Sequence, residues 1–300
     1  MPDRRQFLAG AGAGLILGPS LLRAQGMAGG WEVLSLSDGH LTLPADMVFG
    51  PMPQDALAPI RAELALAETL TPPCNVTVLR NEDRIVLIDV GSGTEFMPTA
   101  GKLPDALAEA GIDPYDVTDV ILTHGHPDHI WGLVDDFDDL AFPEAAYHMG
   151  RTEFDYWTDA ATVDTIGADR QSFAVGAERR LARIADRISL FEDGQEVLPG
   201  VGARATFGHT PGHMALQIGE GSDGLMVLGD CIGNDHVALL HPEWRSGSDQ
   251  DPDQAVTTRV ALLAELASSG MKVIGFHLTG DGVGRIEATT NTAYAFLPEE

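Results

Sequence analysis

The sequence predicts one mixed α/β domain of the α+β kind, and three observations carry that expectation. Strand-like apolar runs alternate with amphipathic helical ones. A chain of 300 residues with 44% hydrophobic content can bury a substantial core. No fixed-period repeat, Pro/Ser-rich linker or long charge block divides it. The longest loop-like stretch, Trp244 to Gln254, is a polar connection leading into a helix.

The elements follow from pattern. Asn75 to Leu79 and Ile85 to Asp89 read as strands joined by the polar turn Asn81-Glu82-Asp83, a hairpin signal. Glycines after Asp89 permit a tight turn. Pro104 to Ala110 is helical with Gly111 as its C-terminal stop, and Val117 to Leu122 returns as a buried strand. Helical segments are expected over Glu153 to Thr158 and Arg170 to Ile188. A second strand-rich stretch holds Ala203 to Phe207, Met214 to Ile218, Leu225 to Leu228 and Val273 to Phe276, with a helix over Ala255 to Ala267.

The N-terminus reads as an address. Arg4-Arg5-Gln6-Phe7-Leu8 precedes a Gly/Ala/Leu-rich run from Ala9 to Leu22 and resembles a twin-arginine export signal, spanning about residues 1–24. That run is too short and Gly-rich to span a membrane stably. Such a signal implies a periplasmic or secreted protein whose folded domain covers 30–300.

Composition excludes several partners. The net charge is −27, the only lysines are Lys102 and Lys272, and no basic stripe exists, so nucleic acid and anionic membrane are unsuitable ligands. Cys74 and Cys231 stand far apart and in no Cys-x-x-Cys pattern, and read as buried apolar residues.

The chemistry concentrates after the buried strand, where Thr123-His124-Gly125-His126-Pro127-Asp128-His129 packs three imidazoles and a carboxylate into six residues. Gly125 and Pro127 keep that backbone out of regular structure. Histidines at alternate positions can converge on one cation while Asp128 and His129 face a second, the arrangement of a two-metal hydrolytic site. Later strands each deliver another candidate: His209 and His213 in Gly208-His209-Thr210-Pro211-Gly212-His213, Asp230 after Leu228-Gly229, and His277 after Gly275-Phe276. His40, His148, His236 and His241 read as ordinary structural residues, although His236 and His241 follow Asp230 closely enough to line a pocket.

The succession His-x-His-x-Asp-His, Thr-Pro-Gly-His, Leu-Gly-Asp and a lone His resembles the binuclear hydrolases of the metallo-β-lactamase superfamily, from about Val33 to the C-terminus. The resemblance implies a four-layer αββα sandwich with metals at one edge. It implies that His124, His126 and His213 hold the first metal, that Asp128, His129 and His277 hold the second, and that Asp230 bridges them. His209 becomes a hydrogen-bonding partner behind the ligands. Two divalent metal ions are implied, zinc first, with Mn, Co or Fe as substitutes. A hydroxide shared by the two metals would attack an ester carbonyl or phosphoryl centre, with Asp128 moving a proton to the leaving group.

Departures from sister groups narrow the substrate. Oxygen-reducing di-iron members carry Glu where this chain has His126, and the best-known β-lactamases use Cys where it has Asp230. The chain is most similar to the methyl parathion hydrolase group and its lactone- or ester-cleaving relatives, through Gly101-Lys102-Leu103 and the stretch from Phe276-His277-Leu278 to Val283-Gly284-Arg285-Ile286. That group places aromatics over the metals where this chain has Phe96, Trp157 and Phe173, and Trp131 stands in place of a Gly. The implied substrate is a small neutral or apolar lactone or carboxylic ester, with organophosphate cleavage as a side activity and a homodimer as a compatible assembly. A thioesterase or phosphodiesterase of the hydroxyacylglutathione hydrolase type and a non-catalytic metal-binding protein are the alternatives.

Overall fold

The computed structural model describes residues 22–299. The expected export signal lies almost entirely outside them. Each half of the chain builds one seven-stranded sheet. The first contains β1 (Leu22–Ala28) and β2 (Trp31–His40) and, past a small two-stranded excursion of β3 (Leu43–Pro44) and β4 (Thr69–Leu70), continues with β5 (Pro73–Arg80) and β6 (Ile85–Ile88). β7 (Asp119–Leu122), β8 (Ala146–Gly150) and β9 (Ile188–Phe191) complete it. The second follows chain order without interruption: β10 (Glu196–Leu198), β11 (Val201–Ala205), β12 (Met214–Ile218), β13 (Leu225–Val227), β14 (Lys272–Ile274), β15 (Val283–Ala288) and β16 (Tyr294–Pro298).

Alternation along the strands sorts side chains into three cores. In β7, Ile121 faces inward to meet Val201, Leu216 and Val227 of the second sheet, whereas Val120 and Leu122 face outward. The outward pair packs on Leu103, Ala106 and Leu107 of the helix Leu103–Glu109 and on Ala177 and Leu181 of the helix Gln171–Leu181. In β13 and β14, Met226 and Val273 face outward onto Leu262, Leu263 and Leu266 of the helix Pro252–Ser269. Helix, sheet, sheet and helix make the four layers.

Both ends of that last helix carry their signals. Asp251 caps its first turn by accepting from the Gln254 N–H, and Gly270 closes it in the left-handed conformation at φ 63°. The expected hairpin of β5 and β6 forms with Thr77 opposite Ile88. The helix expected to run to Ile188 instead ends at Leu181, because Ile188 to Phe191 pairs in parallel with β8. Here a sheet edge captures β-branched and aromatic residues that local helical spacing alone favoured. Cys74 and Cys231 are buried and unpaired. Among the described residues no helix is long and apolar enough to cross a membrane.

Candidate metal centre

The candidate ligands meet at one edge of the sandwich because β7, β11, β13 and β14 all end there. After β7 the chain bends at Thr123 and runs without regular structure to His126, whose extended φ of −70° and ψ of 155° make it the N-cap of the short helix Pro127–Ile130. Pro127 occupies the first position of that helix, where its missing N–H costs nothing. This break divides the motif: His124 and His126 project from the irregular stretch, Asp128 and His129 from the helix.

Two donor groups result. The first brings His124, His126, His209 and Asp230 together, and the second Asp128, His129, Asp230 and His277, with the ligand atoms in each within 4.8 Å of one another. His126 Nδ1 lies 3.1 Å from His124 Nε2 and 2.9 Å from His209 Nε2, and His209 Nε2 lies 3.3 Å from Asp230 Oδ2. In the second group His277 Nε2 is 3.1 Å from Asp128 Oδ2 and 3.3 Å from Asp230 Oδ2, and His129 Nε2 is 3.3 Å from Asp230 Oδ1. Donors about 2.1 Å from a tetrahedral cation stand about 3.4 Å apart, so these spacings fit one ion per group. Asp128 Oδ2, His129 Nε2 and Asp230 Oδ1 are buried and have no hydrogen-bond partner, as atoms reserved for a cation would be.

The structure brings His209 into the first donor group and places His213, the third imidazole expected there, against the Asp230 backbone. His213 is fully buried with both ring nitrogens engaged: Nδ1 with Thr206 Oγ1 at 2.8 Å, and Nε2 accepting the Asp230 N–H at 3.0 Å. It therefore positions the Asp230 backbone, while His209 reaches the donor group. A Cβ on Gly229, whose φ is 53°, would fall 2.6 Å from His213 Nε2, so the approach requires glycine.

Partners behind the imidazoles fix their orientation. Asp89 Oδ2 lies 2.8 Å from His129 Nδ1, and the same carboxylate accepts from the Thr123 N–H and hydroxyl, each at 2.8 Å. His277 Nδ1 donates to the Pro73 carbonyl at 2.7 Å, which fixes the ring so that Nε2 faces the carboxylates. Asp249 Oδ1 lies 3.2 Å from His209 Nδ1 and its other oxygen lies 3.4 Å from buried Arg259. Gln250 reaches His126 Nε2 at 3.2 Å, held in turn by the Tyr156 hydroxyl at 2.9 Å. Asp89 follows an apolar strand and stands two residues before Gly91, a legible signal; Asp249, Gln250 and Glu153 carried none.

The electrostatics divide the groups. Burial drives the pKa values of His124, His126 and His213 well below the ordinary value, and neighbouring imidazoles add to this. Burial would lower His129 too, but Asp230, Asp128 and Asp89 outweigh it and push its pKa up to about 10. His277 rises well above its usual range, where Asp230 and Asp128 overcome the same burial. Asp230 is held well below the carboxylate range because His277 and His129 outweigh its burial. Three carboxylates that hold protons on two buried imidazoles in this way make a site that favours cations.

A cavity of about 550 Å³ opens over both groups. Its walls include Leu41, Leu43, Met47, Leu66, Leu70 and Met97, supplied largely by the excursion between β2 and β5. Phe96 and Phe173 line it as expected, with ring centroids 6.0 Å apart. Trp131 and Trp157, expected there too, do not. Trp131 sits behind Phe96 with the Arg180 guanidinium 4.4 Å over its ring. Trp157 is buried beneath the ligand loop, where its indole donates to Glu153 Oε1 and excludes any Cβ at Gly125. His236 lines the cavity, whereas His241 stacks on Trp244 away from it.

Residues 71–277 match the model of the metallo-beta-lactamase superfamily. The chain belongs to that superfamily. Among solved structures, AidC, described as a dizinc quorum-quenching lactonase in complex with a product, is 24% identical with a TM-score of 0.85, over 94% of this chain and 99% of that one. The hydrolase AbOPH matches equally in identity and TM-score, over 94% and 98% of the two chains. A probable metal-dependent hydrolase from Staphylococcus aureus is 18% identical with a TM-score of 0.73, over 91% and 99%. At these identities the likeness is one of fold. No curated protein sequence matches the chain.

Proposed function

We propose that this superfamily hydrolase is a dimetal lactonase acting on neutral lactones that carry an apolar acyl chain. The carrying observation is that two donor groups sharing Asp230 lie at the foot of a largely apolar cavity. His124, His126 and His209 would hold one divalent ion and Asp128, His129 and His277 the other, with zinc the first expectation from ligand chemistry. Such ions, when bound, polarise an ester carbonyl and supply hydroxide at neutral pH.

The chain's own residues do the rest. Asp230 has two oxygens and reaches both groups, Oδ2 lying 3.3 Å from His209 Nε2 and from His277 Nε2 and Oδ1 lying 3.3 Å from His129 Nε2, whereas an imidazole acts through one nitrogen. Asp128 lines the cavity and is placed to carry a proton to the departing alkoxide of the opened ring. The aliphatic wall receives the acyl chain and excludes water from the reacting carbonyl. Structures described as N-acyl homoserine lactone lactonases share this fold and support the lactone over a phosphotriester or thioester. The methyl parathion hydrolase-like activity of the sequence resemblance would then be a side reaction.

Turnover of aryl esters, lactones, thioesters and phosphotriesters, measured beside metal content, tests this. The expected result is highest kcat/KM for acyl-chain lactones, rising with chain length. Preference for a thioester or phosphotriester, or no turnover by protein carrying two ions, would refute it.

A further inference from the structure

His236 and Asn234 line the cavity on the loop that follows Asp230. Both have spent their acceptor atoms on backbone at the start of the short helix Val237–Leu240. His236 Nδ1 accepts the Val237 N–H at 2.8 Å, and Asn234 Oδ1 accepts the N–H groups of His236 at 3.3 Å and Ala238 at 3.0 Å. A neutral imidazole whose Nδ1 accepts carries its proton on Nε2. Burial lowers the His236 pKa against the opposing pull of Asp235, which keeps the ring neutral. What both side chains have left to offer is therefore a neutral donor: Nε2–H on His236 and Nδ2–H on Asn234.

Their surroundings say what those donors suit. His236 hydrogen-bonds none of the candidate ligands, and its ring packs edge-on against Phe49 at 5.9 Å. It therefore serves a part of the ligand other than the carbonyl held at the donor groups. The same cavity holds the carboxylates of Asp128, Asp230 and Asp235, one oxygen of Asp235 being taken by the Thr279 N–H at 2.9 Å. Arg170, the cation that also lines the cavity, spends its Nη2 on the Gly247 and Ser248 carbonyls, and a neutral carbonyl oxygen can accept from His236 and Asn234 without a charge to desolvate.

We propose that the His236 Nε2–H, seconded by Asn234 Nδ2, binds a second, neutral carbonyl oxygen of the substrate and so selects lactones bearing an acyl amide over plain alkyl lactones. This rests on the lactonase reading. His236 is thus a specificity residue that touches the non-reacting part of the substrate. It holds no ligand position.

Two variants test the assignment. His236→Asn keeps an acceptor for the Val237 N–H and loses the reach of the donor, whereas His236→Gln restores an N–H at that reach. Calorimetric binding of N-cyclopentylhexanamide, an amide with no ester, is expected to weaken about three- to ten-fold in His236→Asn, the fold-change of one neutral hydrogen bond, and to recover in His236→Gln. The preference of kcat/KM for N-hexanoyl homoserine lactone over an alkyl γ-lactone of equal chain length should fall by the same factor, mainly through KM. Unchanged amide affinity in His236→Asn, or no recovery in His236→Gln, would overturn the proposal. If the wild type binds the amide in this His236-dependent way yet opens neither lactone, the lactonase reading fails and the donor assignment stands.

Discussion

The carboxylate of Glu153 accepts the backbone N–H of Gly125, between His124 and His126, at 2.9 Å from inside the helix Arg151–Thr158. Its other oxygen accepts the Gly212 N–H at 2.7 Å, and the Trp157 indole N–H donates to the first at 2.6 Å. One fully buried side chain thereby ties together two loops that carry candidate ligands, one from each sheet. Burial raises its pKa, and the donors around it oppose that rise.

Replacing Glu153 by Gln places an NH₂ group where three donors already point, so at least one buried N–H loses its acceptor. The expected cost is about 1–3 kcal/mol in denaturant unfolding, together with weaker metal retention, because the loops lose their common anchor. Unfolding free energy equal to wild type would show that the clamp is dispensable.

Gly125 tests the same junction from the other side. A Cβ there would lie 2.4 Å from the Trp157 indole nitrogen, a fully packed position with no room to yield. Gly125→Ala should destabilise by about 1–3 kcal/mol, the range for overpacking a core, and lower metal content with it. Wild-type metal content and thermal midpoint would contradict the packing argument.

What the sequence made legible follows the distance over which each signal acts. The strand β7, the ligand-bearing motif after it and the capped helix Pro252–Ser269 depend on neighbours within a few residues, and pattern reading finds them. The different surroundings of His209 and His213 do not: both flank Thr-Pro-Gly, and only packing distant in sequence sets His209 Nε2 against the Asp230 carboxylate and His213 Nε2 against the Asp230 N–H. Trp131 and Trp157 failed as cavity residues for the same reason. The family resemblance puts both near the metals, while Arg180, distant from Trp131 in sequence, and Glu153, one helical turn before Trp157, decide which way they face.

His209 and His213 give a discriminating pair of variants. His209→Ala removes a donor from the first group and should cut bound metal toward one ion per chain. His213→Ala removes the support of the Asp230 N–H and should retain more metal than His209→Ala, at a cost in stability of about 1–3 kcal/mol for the stranded backbone donor. Metal analysis and unfolding on both proteins decide the matter; the reverse order of metal loss would make His213 the ligand.

Asp230→Ala should be more severe than either, since its two oxygens serve both groups. Elemental analysis is expected to find both ions depleted and lactone turnover lost with them. Full metal content with near-normal kcat would remove Asp230 from the shared position.

Protonation supplies the last test. With no cation bound, His129 has its pKa pushed up to about 10 and His277 lies well above its usual range, so both carry protons at neutral pH. Loading the second group with zinc must expel them, because a metal binds the neutral imidazole. Titrating zinc into metal-free protein in weak buffer at pH 7.5 should acidify the solution, and apparent affinity should climb with pH until those protons are gone. For the metal-free fold the sign is opposite. A folded pKa above the ordinary value of 6.5 gives stability that is complete below 6.5 and is lost as pH rises through about 10. The thermal midpoint of metal-free protein should therefore fall on the alkaline side, and added zinc should suppress that fall. Metal loading without proton release would mean that the carboxylates around His129 and His277 do not hold the charge assigned to them.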